Sequence, residues 1–392
     1  MALSVEEVRQ TLRKLMPVAR KYAYFDHAAV APLPSPTSEA IQGYAKTGEA
    51  SGDVHWLQWS AGVRQLRRTA AELIHAAPDE IALVNSTTQG LNIVASGFPW
   101  KAGDNVILPD NEFPSNSLPW KQLNAQGVET RTAKSSPEGS LSLESIGELI
   151  DDRTRLIAIS WVGFASGFRI DVEELCKLAH SKGVLVCLDA IQGLGAFPLN
   201  VKETKVDFLC ADGHKWMLGP EGAGILYIAQ QHWNLLRPVG VGWGSLESGG
   251  FTPGSEKLKE TPAVYEGGTT NMPGMLGLGA SLQTLVDLGA GQPNSPVAAA
   301  IMENVQSIES ACKASDLTVH LPAEEHRSGI VGITWPEARD DTDYMEARKA
   351  LLEHDVVTSV RGGRLRVATH AYNNQDDIDR LVHGLHAFRS RN

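Results

Sequence analysis

Short apolar runs alternate with helix-like stretches over residues 80–230 of this 392-residue chain. The runs have the length of strands, and the stretch DVEELCKLAHSKG between two of them has its apolar residues at helical spacing. The runs are IALVN, NVILPD, RLIAISWV, VLVCLDAI, VDFLCAD and GILYIA. Strands that alternate with helices predict an α/β fold, whose sheet is mostly parallel and covered by helices on both faces.

The pattern changes beyond this region. Residues 238–275 are rich in Gly, Pro, Ser and Thr, which predicts long loops rather than regular elements. A helical stretch, LGLGASLQTLVDLGA, follows, and the rest of the chain has the pattern helix, strand (GIVGITW), helix (TDYMEARKALLEH) and strand (RLRVATH). We therefore predict a large domain over residues 21–285 and a smaller α+β domain formed by residues 1–20 and 286–392.

The composition of the chain limits its expected binding partners but says little about its fold. The chain has 35 Lys and Arg against 46 Asp and Glu, a net charge of −11, and no basic run that could follow a phosphate backbone. Nucleic acid is therefore not an expected partner. The N-terminus lacks the basic end and apolar block of a secretory signal, and no stretch reaches the roughly 20 apolar residues of a membrane span. We expect no membrane association and a cytoplasmic location.

Neither the cysteines nor the histidines have the spacing of metal ligands. The four cysteines form no C-x-x-C pair, and two of them lie inside apolar runs. The twelve histidines contain no H-E-x-x-H or similar arrangement. We therefore predict core thiols and no metal site.

Candidate reactive residues follow the apolar runs, because sites in open α/β sheets form beyond the carboxyl ends of strands. Ser86, Thr87 and Thr88 follow IALVN and open a helix, where free N–H groups and hydroxyls favour an anion such as phosphate. A plain helix cap is the alternative interpretation. Asp189 ends VLVCLDA and Gln192 follows three residues later; an ordinary turn carboxylate is the alternative there.

A further strand end carries a lysine. The stretch VDFLCADGHKWMLGPEGAG places Asp212, His214 and Lys215 in a Gly-rich turn, where partial desolvation would make the lysine a carbonyl-reactive amine. A solvated surface charge is the alternative. The glycines that follow have the wrong order for a dinucleotide-binding loop, and the chain has no G-x-S-x-G or P-loop motif.

Taken together, these motifs resemble the class V aminotransferase superfamily of pyridoxal 5'-phosphate (PLP) enzymes. The nearest members are selenocysteine lyases, kynureninases and isopenicillin-N epimerase-like proteins. Seven motifs occur in family order: YFDHAAVAP, NSTTQGLN, LPDNEFPSNSLPW, LDAIQ, ADGHKWMLGPEGAGILY, YEGGTTN and RLRVATHAYNNQDDIDRLV. The resemblance implies the PLP-dependent transferase fold (fold type I) with a seven-stranded, mostly parallel sheet. It also implies PLP as cofactor and a homodimer with composite active sites.

The same resemblance assigns roles at the cofactor's ring. Lys215 would bind PLP as a Schiff base and, once substrate displaces it, move the substrate's α-proton. Asp189 would pair with the pyridine nitrogen and keep it protonated. Phe113 would stack on the ring face, and Gln192 would hydrogen-bond the phenolic oxygen.

Further roles concern the phosphate and the substrate. The resemblance matches these residues to phosphate-side positions: Thr87, Thr88, Asp212, His214 and, from the second subunit, Thr269. Arg366 would clamp the substrate α-carboxylate, since its planar fork gives a bidentate geometry that lysine cannot. His27 and His55 are further substrate-side candidates, although a lone histidine is as often structural.

The chain departs from the family pattern at several positions. The stretch TSVRGGRLR has no thiol where desulfurases carry their reactive cysteine. Phe113 stands where those enzymes have a histidine that can donate a proton, and Phe164 where many members have an asparagine near the phenolic oxygen. Asp212 replaces a common serine, so a carboxylate beside the phosphate would need a hydrogen bond or His214 to offset repulsion.

The resemblance implies an enzyme of amino-acid metabolism that begins with α-proton abstraction by Lys215. β-Elimination of a sulfur- or selenium-containing side chain, without a cysteine nucleophile, is the expected reaction. Epimerisation and transamination share the first step and remain open. A catalytically silent PLP-fold binding protein is a further alternative, disfavoured because Lys215, Asp189 and Arg366 are all retained. A nicotinamide-dependent dehydrogenase is disfavoured by the glycine order.

Overall fold

The computed structural model describes residues 3–247, 254 and 256–390. Its strands are β1 (Ala23–Tyr24), β2 (Ile81–Val84), β3 (Asn105–Pro109), β4 (Glu129–Ala133), β5 (Thr154–Ser160), β6 (Leu185–Asp189), β7 (Phe208–Asp212), β8 (Gly224–Ile228), β9 (Thr318–His320), β10 (Ile330–Thr334), β11 (Val356–Val357), β12 (Ser359–Arg361) and β13 (Arg364–Ala368). Its α-helices are α1 (Val5–Leu15), α2 (Ser35–Ser51), α3 (Trp56–Leu73), α4 (Thr87–Gly97), α5 (Leu118–Gln122), α6 (Leu143–Gly147), α7 (Val172–Ser181), α8 (Val201–Thr204), α9 (Met272–Asp287), α10 (Pro296–Lys313), α11 (Asp341–Glu353) and α12 (Gln375–Arg389).

A seven-stranded sheet forms the centre of the large domain. Its strand order is β2-β8-β7-β6-β5-β3-β4. Strand β8 runs antiparallel to both of its neighbours, and the other pairs are parallel. The predicted α/β fold with a mostly parallel sheet of seven strands is therefore confirmed.

Both faces of this sheet are covered by apolar packing. Along β6, Val186 and Leu188 belong to the core on one face and Cys187 to the core on the other. Successive side chains of a strand point to opposite faces, so a strand covered on both sides is apolar at every position. This explains why the central strands appear in the sequence as continuous apolar runs.

The small domain is built on a four-stranded antiparallel sheet in the order β12-β13-β10-β9. Helix α1 packs on α10, and β1 pairs in parallel with β11. Asp26 also bridges to Ala368, beside the end of β13. Residues 23–26, which follow the predicted N-terminal limit at residue 20, therefore pair with strands that belong to the predicted small domain.

The loop-rich region agrees with its composition. In the described part of residues 238–275, short 3-10 turns lie at 243–245 and 262–265, and α9 begins at Met272. Residues 248–253 of the stretch GWGSLESGGFTPG lie outside the described residues. Among the helices of the described part, none combines the length and apolar character needed to cross a bilayer.

Candidate active site

A cavity of about 280 Å³ lies beyond the carboxyl ends of the central strands. Strands β5, β6 and β7 end on its wall with Ser160, Asp189 and Asp212. The small domain closes the opposite side with Arg361 and Arg366. The cavity therefore lies between the two domains, where parallel strands bring their last side chains to one edge.

One end of the cavity is formed by the start of α4. Ser86 caps this helix, because its hydroxyl accepts the N–H of Gln89 at 3.1 Å. The Thr87 hydroxyl accepts the backbone N–H of Asp212 at 2.9 Å, and the Thr88 hydroxyl donates to Ser115 at 2.8 Å. The first N–H groups of a helix have no intrahelical acceptor, so this end of the cavity attracts an anion.

His214 completes that end of the cavity. Its Nδ1 lies 3.1 Å from Oδ2 of Asp212, within ion-pair distance, but the alignment is too poor for a hydrogen bond. Asp212 instead accepts the N–H of Gly213 at 2.8 Å through its other oxygen. Nδ1 is therefore a buried polar atom without a hydrogen-bond partner, and buried polar atoms are normally paired. A phosphate at the start of α4 would satisfy it, so these residues fit a phosphorylated cofactor.

Lys215 lines the cavity with only 9% of its surface exposed. Its Nζ is 5.7 Å from the centroid of the Phe113 ring. Burial lowers the pKa of Lys215 to about 8, and the positive charges of Arg366 and Arg361 act in the same direction. Asp189, on the opposite wall, partly offsets this effect. A lysine of this kind releases its proton near neutral pH and can then act as a base or nucleophile.

Asp189 and Gln192 lie side by side at the end of β6. Asp189 accepts the N–H of Ile191 at 3.1 Å, and burial raises its pKa to about 6. A cationic nitrogen placed against this carboxylate would therefore be stabilised strongly. Gln192 is buried and donates from Nε2 to the carbonyl of Ala28 at 2.9 Å.

Phe113 is 42% exposed and offers its ring to the cavity. The ring packs edge-to-face against Phe164, with centroids 5.3 Å apart at 74°. Phe164 therefore supports the Phe113 ring with a second ring. The pair provides a flat apolar surface and no proton.

Arg366 is held in place by three hydrogen bonds. Nε donates to the hydroxyl of Ser359 at 3.0 Å, one terminal nitrogen to the carbonyl of Phe164 at 2.8 Å, and the other to Asp26 at 3.3 Å. Burial lowers the pKa of this guanidinium, while the negative charge of Asp26 opposes the shift. Each terminal nitrogen keeps one N–H without an acceptor among the described residues. Two such donors on one rigid fork suit a carboxylate.

Three of the expected site residues do not line this cavity. His27 requires a correction, because it is fully buried behind the wall: Nδ1 contacts the carbonyl of Ala368 at 2.9 Å and Nε2 the hydroxyl of Tyr372 at 3.0 Å. With both nitrogens engaged, it is a structural histidine rather than a substrate contact. His55 lies between α2 and α3 near Trp59, outside the cavity, so the structure of one chain does not support it as a substrate contact. Thr269 is exposed and also lies outside this cavity.

Sequence reasoning missed other residues on or near the wall. Arg361 lines the cavity and donates only to the carbonyl of Val360, at 2.8 Å, among the described residues. Glu112 accepts both the N–H and the hydroxyl of Ser160 at 2.6 Å, and burial raises its pKa to about 7. Asp26, in the motif YFDHAAVAP, was not predicted to contact Arg366. The only sequence signal for these residues was their position. Glu112 directly precedes Phe113, and Arg361 directly precedes the two glycines of the turn that leads into β13.

Comparison with known proteins agrees with this geometry. The family model "Aminotransferase class-V" matches residues 23–381. A probable cysteine desulfurase of Methanothermobacter thermautotrophicus is 33% identical over 285 residues, covering 71% of this chain and 70% of that protein. A probable cysteine desulfurase of Pyrococcus abyssi is 28% identical over 96% of both chains.

The solved structures agree as well. The apo cysteine desulfurase of Thermococcus onnurineus NA1 superimposes with a TM-score of 0.87 at 25% identity, over 100% of both chains. Fold type I and PLP dependence are therefore confirmed as predicted. The chain belongs to the class V aminotransferase family and is a PLP-dependent enzyme.

Proposed function

We propose that this enzyme is a carbon–sulfur or carbon–selenium lyase that acts on an α-amino acid without an enzyme thiol. The position of its four cysteines carries the proposal. Cys176, Cys187, Cys210 and Cys312 are at most 1% exposed, and none lines the cavity. Burial raises the pKa of Cys176 and Cys312 to about 12. Relatives named cysteine desulfurases favour a carbon–sulfur substrate, but no thiol here can accept its sulfur.

The cavity wall suits PLP in one orientation. Thr87, Thr88 and the unpaired Nδ1 of His214 would hold its phosphate, and Asp189 would hold its ring nitrogen. Asp212 would act less directly, by fixing Thr87 through its backbone N–H. When bound, PLP supplies an aldehyde that bonds to amines and a ring that withdraws electrons from the substrate's α-carbon.

Lys215 performs the proton transfers in this proposal. Its lowered pKa makes the neutral amine available to take the α-proton. The electron pair of the broken C–H bond forms a Cα–Cβ double bond as the Cβ–S bond breaks, and sulfur leaves with its electron pair. The ammonium formed on Lys215 can return the proton to the sulfur, since Phe113 has none to give. Hydrolysis of the unsaturated product then yields a keto acid and ammonia.

Arg366 orients the substrate for this step. Its two remaining N–H donors would bind the α-carboxylate, while Asp26 and Ser359 prevent the guanidinium from turning. A fixed carboxylate restricts rotation about the Cα–N bond and keeps the α-proton directed towards Lys215. Elimination is favoured over epimerisation because epimerisation on two faces needs a second proton donor, and the Phe113 ring beside Lys215 has no proton to give. Transamination differs from elimination because it needs a keto-acid acceptor, so an assay with and without an acceptor separates the two reactions.

We also propose that the active enzyme is a homodimer in which Thr269 reaches the partner's cavity. Thr269 is exposed in a single chain, on a loop anchored by Glu266, which accepts hydrogen bonds from Arg67 and from the N–H of Leu83. Several large apolar side chains of this chain are also exposed. They are Val54, Trp56, Leu57, Val241 and Trp243. Exposed apolar groups of this size favour burial against a second copy.

The first test is the absorbance of the protein loaded with PLP, compared with Lys215→Ala, before and after borohydride treatment. The loaded proteins are then given amino acids with a sulfur or selenium leaving group at Cβ, and keto acid and ammonia are measured. We expect keto acid without any added acceptor, and none from Lys215→Ala. A protein that takes up no PLP would overturn the proposal in favour of a silent binding protein. Racemised amino acid without keto acid, or product only when a keto-acid acceptor is added, would identify the epimerase or the aminotransferase instead.

A further inference from the structure

Trp216 lies fully buried directly after Lys215, and its polar groups connect the cavity to the small domain. Its indole N–H donates to Oε1 of Gln192 at 2.8 Å. Its backbone carbonyl accepts a hydrogen bond from Nε2 of His370 at 3.1 Å. One residue thus contacts the cavity wall on one side and a small-domain residue on the other.

These contacts determine which way the Gln192 amide faces. An indole N–H can only donate and the carbonyl of Ala28 can only accept. Oε1 must therefore face Trp216 and Nε2 must face Ala28, because the reversed amide would place two donors together and two acceptors together. The second N–H of Nε2 has no acceptor among the described residues, and Gln192 lines the cavity. This second N–H is therefore available as a donor to a group bound in the cavity.

Trp216 itself is held by close packing. A side chain at Gly195 would place its Cβ 2.5 Å from the Trp216 carbonyl oxygen, and one at Gly329 would lie 2.4 Å from the indole ring. Nδ1 of His370 accepts the N–H of Ala371 at 2.9 Å, so its proton is on the nitrogen that faces Trp216. Burial also lowers the pKa of His370 to about 4, so at neutral pH the ring is uncharged and Nδ1 can accept that N–H.

We propose that Trp216 is a positioning residue that fixes Gln192 as a hydrogen-bond donor to the phenolic oxygen of PLP. The inference rests on the proposed function, in which Gln192 contacts that oxygen. Its importance comes from Phe164, whose ring leaves no polar side chain at the neighbouring position. Gln192 is then the remaining side-chain amide on the wall, so its orientation decides how well the oxygen's negative charge is stabilised.

The test is a double-mutant cycle on the PLP-loaded enzyme, with Gln192→Leu, Trp216→Phe and the double variant. The readout is the midpoint, which is the pH at which the absorbance band of the bound cofactor is half-way between its low-pH and high-pH forms. Loss of a donor to a charged oxygen should move the midpoint of Gln192→Leu upward by about one pH unit. Trp216→Phe should give at least about half of that shift, and the double variant no more than Gln192→Leu. Trp335→Phe, a buried tryptophan in the small-domain core, is the matched control and should not move the midpoint.

Other readouts separate positioning from structural damage. The PLP dissociation constant of Trp216→Phe should stay within about threefold of wild type, because the phosphate contacts are elsewhere. In the cofactor-free protein, the indole N–H signal of Trp216 in NMR should change and lose exchange protection in Gln192→Leu, without any substitution of Trp216.

The outcomes are distinct. An unchanged indole signal, or a midpoint that moves in Gln192→Leu and not in Trp216→Phe, would overturn the positioning role and leave the proposed function intact. Additive shifts in the double variant would overturn it as well. A wild-type protein that forms no cofactor absorbance would overturn the proposed function, and the positioning role with it.

Discussion

Replacing Arg366 with lysine separates the geometry of the carboxylate site from its charge. The guanidinium is 2% exposed and makes three hydrogen bonds, to Ser359, to the carbonyl of Phe164 and to Asp26. These bonds leave one N–H on each terminal nitrogen for a substrate carboxylate. Lysine keeps the positive charge but cannot present two parallel donors from a fixed plane.

The size of the effect follows from the donor that is lost. A hydrogen bond to a charged group contributes about 1.5–3 kcal/mol, so losing one arm of the fork should lower kcat/KM by about 10- to 100-fold. A carboxylate that is no longer fixed also misaligns the α-proton with Lys215, so kcat should fall as well as KM rise. The PLP dissociation constant should change little, because Arg366 is not among the residues that would hold the phosphate or the ring nitrogen.

The assay is steady-state kinetics with the best amino acid of the panel, on protein whose PLP content has been measured. Arg364→Lys is the matched control, since Arg364 lies on the same strand and does not line the active-site cavity. A kcat/KM for Arg366→Lys within about threefold of wild type would refute the assignment. An equal loss in Arg364→Lys would show that the strand, and not the fork, is responsible.

Three further predictions concern charge, assembly and stability. Arg361→Gln should move the rising limb of the kcat–pH profile to higher pH, because Arg361 helps to lower the pKa of Lys215; an unmoved limb would contradict this. Mixed dimers of Lys215→Ala and Thr269→Tyr chains should recover activity that neither variant has alone, since one of the two cavities then has both native residues. No recovery on mixing would mean that Thr269 acts within its own subunit. Asp207→Asn should lower the free energy of unfolding by about 2 kcal/mol between about pH 4 and 6.5, measured by urea titration. Burial raises the pKa of Asp207, but hydrogen bonds from His180 and a second histidine outweigh it and lower that pKa, while the bond to Asp207 raises the pKa of His180. The carboxylate's contribution is lost as pH falls through its folded pKa and the histidine's as pH rises through its own, so an equal loss at pH 9 would refute the pairing.

The sequence predicted the elements whose pattern is set by burial alone. The central strands are apolar at every position because both faces are covered, and they appear plainly as runs. Strand β4, with the sequence ETRTA, lies at the sheet edge with mostly exposed or half-buried side chains, so nothing apolar marked it. Strands β9, β11 and β12 have two or three residues each, and such short pairings are defined by their partners rather than by local pattern.

The residues of the candidate site also fall into two groups, those that the local sequence pattern indicates and those that only tertiary contacts define. Asp189, Asp212 and Lys215 follow apolar runs, so their convergence at one sheet edge could be expected from topology. The contact between Asp26 and Arg366 joins residues 340 positions apart, and no local pattern indicates it. Trp216 was visible only as one more apolar position after the lysine. Its role depends on an indole N–H whose acceptor is set by tertiary packing.

The charges around Lys215 suggest why the cavity lies between two domains. The carboxylates that raise its pKa, Asp189 and Asp212, end strands of the large domain, whereas the arginines that lower it, Arg361 and Arg366, belong to the small domain. Without those arginines the lysine would face the two carboxylates alone, so its pKa would be higher. The small domain supplies the two opposing charges. The reactivity of Lys215 is therefore a property of the assembled domains, and Asp26, which binds Arg366, helps to keep that arginine in the docked position.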